Sequence, residues 1–156
     1  MAHPRAQLLA LLALAAGAAT SARAFAAPDE ELVVIVSAQS PVRQVSAAAL
    51  ESYFSGAERR WPEGHNVVVF NLPPEHALRA LFDRIVLRLN PDEVGRFWVD
   101  QLVRGGARPP RQVPDPGLMV RLVAKLPDSI GYVPVGQLNS SVRVVARLRE
   151  GKVVQP

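Results

Sequence analysis

The sequence predicts an α/β domain: one three-layer lobe with a small, mainly parallel sheet flanked by helices. Three observations carry this reading. The unbroken apolar runs at 32–36 and 67–70 have the length and composition of strands buried on both faces. After each run, apolar residues recur at the three-to-four spacing of an amphipathic helix. Strand-like and helix-like segments alternate, as they do in a sheet covered on both sides.

Taken in order, Leu32, Val33, Val34, Ile35 and Val36 form the first strand, and Ser37, Ala38, Gln39, Ser40 and Pro41 a polar loop. Ser46 is a good N-cap; Leu50, Tyr53 and Phe54 repeat at helical spacing, and Gly56 stands where that helix should stop. Val67, Val68, Val69 and Phe70 give a second strand, and strand, helix and strand at this spacing predict a right-handed parallel crossover. Pro73 and Pro74 are expected to open the next helix, with an apolar stripe of Leu78, Leu81, Phe82, Ile85, Val86 and Leu89. Asn90, Pro91 and Glu93 have the spacing of a capping box, and Val94, Phe97, Trp98 and Leu102 are the expected buried face. Residues 107–114 read as a loop rich in proline and arginine. Asp115 caps a short helix with Met119, Leu122 and Val123 inward, and 130–133 read as a strand. Val142, Val144, Ala146 and Leu148 alternate with Arg143, Val145 and Arg147, the pattern of a half-exposed strand. Glu150 and Gly151 turn the chain into a last short strand at 152–154.

Composition narrows the function classes. A chain of 156 residues with 49% apolar side chains suits one cored domain. It has no cysteine, so disulfides, thiolate nucleophiles and zinc–thiolate sites are excluded. Residues 1–27 read as a signal peptide: a weakly basic start with Arg5, an unbroken run of Leu, Ala and Gly at 8–19, then small residues around Ala24 and Ala26. The run is short of the length that spans a bilayer, which with the small-residue pattern favours a cleaved leader over the alternative, an uncleaved anchor. Residues 28–156 are then the exported domain, periplasmic in a Gram-negative cell, with no membrane insertion. Arg5 and Arg23 leave with the leader, and the remaining basic residues lie scattered among acids, which argues against a nucleic-acid footprint.

Several spaced residues resemble a known family. They are Val33 to Val36 with the Ser–Pro loop after them; Phe54, Gly56, Trp61 and Gly64; Arg79 with Phe82; Phe97 and Trp98 with Gly105, Gly106 and Pro109; and Asp128, Ser129, Ile130, Gly131, Tyr132 and Val133. In this order, across roughly residues 32–134, they resemble the phosphate-binding proteins of ABC importers, particularly short stand-alone versions of that type II periplasmic-binding fold. The resemblance implies a periplasmic-binding-protein-like lobe and a tetrahedral oxyanion as ligand. Backbone N–H groups at helix N-termini and a bidentate arginine would hold it. The ligand-binding candidates are Ser37, Gln39, Ser40, His76, Arg79 and Tyr132.

Two departures accompany the resemblance. The family's Gly-Ser-Gly-Thr-Arg or Ser-x-x-Arg helix start reads here as Pro73, Pro74, Glu75, His76, Ala77, Leu78, Arg79. Two backbone donors are lost to proline, and Glu75 brings negative charge. The length, too, is about one lobe's worth, so one side of a bound anion would stay wet. Weak binding, or a second protein supplying the missing lobe, is expected.

The alternatives at single residues stay open. Arg79 is either an anion ligand or a surface charge pairing with Glu75 or Asp83 at helical spacing. His76 is a ligand, a pH switch or neither. Ser37 and Ser40 bind an anion or form a turn. Tyr132 packs, or lends its hydroxyl to a cleft. Arg108, Pro109, Pro110 and Arg111 read as a solvated loop, and by charge they are also the best docking-surface candidate.

No G-x-S-x-G elbow, P-loop, G-x-G-x-x-G or H-E-x-x-H occurs, and no metal-ligand spacing, so neither an enzyme nor a metal or cofactor site is expected. The expected function is a periplasmic solute-binding-like protein for phosphate or a similar oxyanion, linked to ABC transport through a membrane permease. The alternative is a ligand-free periplasmic interaction or sensory module built on the same lobe.

Overall fold

The computed structural model describes residues 31–156; the expected signal peptide at 1–27 lies outside the described residues. Among the described residues, six strands form one sheet: β1 Leu32–Ser37, β2 Val68–Asn71, β3 Arg111–Gln112, β4 Ser129–Pro134, β5 Val142–Arg149 and β6 Lys152–Val154. Their order across the sheet is β3-β2-β4-β1-β5-β6. Among the described residues there are four α-helices: α1 Ala47–Ser55, α2 Ala77–Val86, α3 Pro91–Val103 and α4 Pro116–Lys125.

The α/β class and the helix-flanked single sheet stand, but the sheet is mixed rather than mainly parallel. Among the described residues, only β2 with β3 and β2 with β4 are parallel. β1 is antiparallel to both its neighbours, β4 and β5, and β6 is antiparallel to β5. The expected parallel crossover from β1 to β2 is therefore absent: β4 lies between them, and they run in opposite directions. The physical reason is that burial on both faces is set by the covering layers, not by strand direction. Every residue of β1 is buried, as the apolar run required.

Two consecutive residues of β4 show the layers. Gly131 faces α4, where a Cβ would meet Met119 Sδ at 2.8 Å. Tyr132 faces the other way, its ring stacked on Phe82 of α2 with centroids 3.8 Å apart and 6.0 Å from Phe54 of α1. Helix α4 therefore covers one face, and α1 with α2 the other. A smaller cluster of Val94, Trp98 and Ala107 joins α3 to the loop beyond it.

Local signals set the helix ends. Ser46 accepts from Ala49 N–H, Asp115 from Leu118 N–H, and Asn90 with Glu93 closes the reciprocal capping box. Gly56 ends α1 in the left-handed region, at φ 75°. Helix α2 differs from expectation: it starts at Ala77 with His76 as N-cap, leaving Pro73 and Pro74 in the turn before it. Leu102 is also displaced from its expected place, being 55% exposed on α3. In β5 the register shifts between Val34 and Ile35, so Val144 pairs with Ile35 while Ala146 pairs with Val34. This bulge moves Val142 and Val144 onto the α4 face and buries Val145, which simple alternation placed outward.

Candidate functional site

Strands β2, β3 and β4 run in one direction, so their carboxyl ends share an edge of the sheet, and α2 starts just beyond it. Open α/β sheets bind ligands at such edges. Asn71 ends β2 there and is buried because β3 and β4 flank it. Its Oδ1 accepts from the Tyr132 hydroxyl at 2.6 Å. Burial pushes the Tyr132 phenol well above its usual range, so the hydroxyl stays a donor.

Arg79 lies one turn into α2 and is buried. Its Nε donates to Asp83 Oδ2 at 2.5 Å and its Nη1 to the Leu72 carbonyl at 2.7 Å. Burial raises the Asp83 carboxyl above its ordinary value, an effect larger than the opposing pull of Arg79. Asp83 Oδ1 is buried with no donor partner among the described residues. The helical pairing considered for Arg79 is thus real, but it is a core pair and not a surface one.

His76 caps α2, its Nδ1 accepting from Leu78 N–H at 3.2 Å. The other amides of this turn are largely spent as well. His76 N–H goes to the Pro73 carbonyl, and those of Arg79 and Ala80 to the His76 carbonyl. The N–H groups of Glu75 and Ala77 have no acceptor among the described residues' hydrogen bonds, so they are the donors left for a ligand.

Ser37, Gln39 and Ser40 do not join this cluster. Val36 pairs with Ile130, which places Ser37 level with Ser129 and Val68, at the amino end of β2 and β4. Asn71 and Tyr132 lie about 10 Å further along, at the other end. The expected pocket combining the two sets is therefore corrected: antiparallel β1 carries the 37–40 turn to the opposite edge. There the turn is structural. Ser37 Oγ donates to the Ala124 carbonyl at 3.1 Å and accepts from Gln39 N–H, and Ser40 Oγ accepts from Val42 N–H. Arg143 clamps the turn through the Ala38 and Ser40 carbonyls at 2.7 and 2.6 Å.

Sequence reasoning missed Asn71, Asp83 as a buried partner, and Arg143. Asn71 had one signal, a polar residue immediately after a buried-strand run. Arg143 had none, because its partners lie more than 100 residues away.

No protein-family model matches the sequence, and no curated protein matches it. Solved structures do match. An ABC-type phosphate transport receptor from Vibrio cholerae is 16% identical with a TM-score of 0.59, over 75% of this chain and 46% of that one. A phosphate-bound substrate-binding protein of the phosphate ABC transporter type from Clostridium perfringens is 18% identical with a TM-score of 0.61, over 75% and 45%. PstS from Borrelia burgdorferi is 14% identical with a TM-score of 0.58, over 75% and 50%. The chain spans about half the length of the solved proteins it matches. These neighbours are binding proteins. The fold of this chain is similar to that of about half of each of these binding proteins.

Proposed function

We propose that the chain is an exported, periplasmic solute-binding-like protein that takes phosphate or a similar oxyanion at the start of α2, in the service of ABC transport. The observation that carries this is the convergence of Asn71, Tyr132, Arg79 and the α2 N-terminus on the shared carboxyl edge of β2, β3 and β4. An anion there would meet the Glu75 and Ala77 N–H groups and the positive end of the α2 dipole. Arg79 contributes little net charge, since Asp83 neutralises it. Affinity in the isolated chain is accordingly weak, and a second protein surface or permease closing over the edge would strengthen it by excluding water.

The second reading is a ligand-free interaction or sensory module. One observation favours it: the arginine that would ligate the anion already gives its Nε to Asp83 and its Nη1 to the Leu72 carbonyl.

Thermal unfolding of the mature protein with phosphate, and with sulfate as comparison, separates the two. A specific ligand at 100 times its dissociation constant stabilises the fold by about 2.7 kcal/mol. A phosphate-dependent rise in midpoint that exceeds the sulfate effect is expected. No rise with either anion would abandon the solute-binding reading for the interaction module. N-terminal sequencing of protein recovered from the periplasm is expected to begin at or near Pro28.

A further inference from the structure

A different surface holds positive charge that the fold does not spend. A cleft of about 570 Å3 opens between the C-terminal end of α1, the first residues of β2 and the loop leading into β3. Arg59, Arg108 and Arg111 line it, and all three are exposed. None of them belongs to an ion pair among the described residues. The one carboxylate on the wall is Glu58. Its Oε1 accepts from the Arg59 and Arg60 N–H groups at 2.7 and 2.8 Å, and those bonds hold its pKa below the ordinary value. Three guanidiniums therefore share the cleft with one carboxylate, whose Oε1 already accepts two backbone N–H bonds.

The loop carrying Arg108 and Arg111 is pinned. Gly106 N–H donates to the Gln101 carbonyl at 2.8 Å, and buried Ala107 sits so close to Gly56 that a Cβ there would lie 2.5 Å from its own. Pro109 and Pro110 stiffen the stretch between the two arginines. The floor is half-buried Val67, Val68 and Val69.

We propose that this cleft docks an acidic, extended peptide segment of a partner protein. Its volume falls in the range of a site for a several-residue or drug-sized ligand, and a lone oxyanion would leave most of it wet. Guanidiniums recognise carboxylates through paired N–H donors, and an apolar floor rewards side chains placed between the acids. A single-stranded nucleic acid would want aromatic platforms, and the cleft's one aromatic, Tyr53, is buried in the core. Little ordering cost falls on the pinned loop when a ligand binds.

The test is fluorescence anisotropy of a short labelled peptide of alternating glutamate and valine, titrated with the mature protein at low salt. Saturable binding that weakens as salt is added is expected. Arg108→Glu with Arg111→Glu should weaken it at least about tenfold, as loss of charge-assisted contacts does. Lys152→Glu, on β6 at the far edge of the sheet, should leave it unchanged. Circular dichroism should show all variants folded, since the altered side chains are exposed. The proposal is overturned if the parent protein shows no saturable binding, or if Lys152→Glu weakens binding equally. Displacement of the peptide by inorganic phosphate at matched charge would overturn it in favour of a small-anion site. Tighter binding of a labelled oligodeoxynucleotide, lost in the same double variant, would overturn it in favour of nucleic acid.

Discussion

Arg79 and Asp83 form an ion pair one turn apart on α2 that is almost wholly withdrawn from water, with side chains 6% and 4% exposed. Such a pair is costly to break and adds little when intact, because both charges lost their hydration on folding. Asp83→Ala and Arg79→Ala are each expected to cost about 3 kcal/mol, since each strands a buried charge. Arg79→Met combined with Asp83→Leu should cost less than either single change. Urea unfolding of the four proteins checks this. Losses that simply add would show that the two charges do not act as a unit.

The Tyr132 hydroxyl and Asn71 Oδ1 form the second buried polar contact at this edge. Tyr132→Phe keeps the ring stacked on Phe82 and leaves Asn71 Oδ1 without that donor. A loss of about 1–3 kcal/mol is expected, the range for orphaning a buried polar group. Chemical denaturation gives the number. Neutral behaviour would mean that Asn71 finds another donor.

What could be read from the sequence divides along the range of the forces involved. Ser46, Asn90 with Glu93, Asp115 and Gly56 were legible because a cap is decided within four residues. The burial of β1 was legible because an uninterrupted β-branched run has nowhere else to go. Its direction was not, since nothing in the run records which neighbour it will meet. That one ambiguity split the site. With β1 parallel to β2, Ser37 and Ser40 would have stood beside Asn71; antiparallel, they stand at the other end, held by Arg143. The Arg79 and Asp83 spacing was visible, but its burial depends on how α2 packs on the sheet. β3 was invisible because Arg111 and Gln112 are only two exposed polar residues on an edge.

Glu31 joins the β4 end to β5: its carboxylate takes Arg147 at 2.8 Å and Arg149 at 2.9 Å, and its carbonyl accepts from Val135 N–H. The hydrogen bonds from Arg147 and then Arg149 hold its pKa below the ordinary 4.5. A lowered carboxyl stabilises the fold above its unfolded pKa, and that contribution fades as pH falls through the folded one. Glu31→Gln should therefore lower the thermal midpoint at neutral pH, and the gap to the parent should close on acidification. Added salt should narrow it too, because the pair is exposed enough to be screened. Asp83 carries the opposite sign. Its raised pKa means the folded state binds the proton more tightly, so its contribution grows as pH falls from the raised value toward the ordinary 3.8. Comparing midpoints of Glu31→Gln and parent across acid pH isolates the first effect, since both proteins keep Asp83. A gap that stays constant down to strong acid would contradict the role given to Arg147 and Arg149.

Gly56 is where backbone conformation and the arginine-bearing loop meet. It holds φ 75° as the α1 cap, and the space where its Cβ would stand is taken by Ala107. Gly56→Ala thus carries two separable costs. The left-handed backbone costs an L-residue roughly 1–2 kcal/mol. The close approach to Ala107 forces α1 and the loop apart, which should also move Arg108 and Arg111 and weaken acidic-peptide binding. Adding Ala107→Gly removes the steric part and leaves the backbone part. The double variant should therefore regain most of the peptide binding but only part of the stability. Denaturation and anisotropy on the parent, single and double variants read the two costs independently. If the double variant recovered neither, the contact between residues 56 and 107 would not be what holds the loop in place.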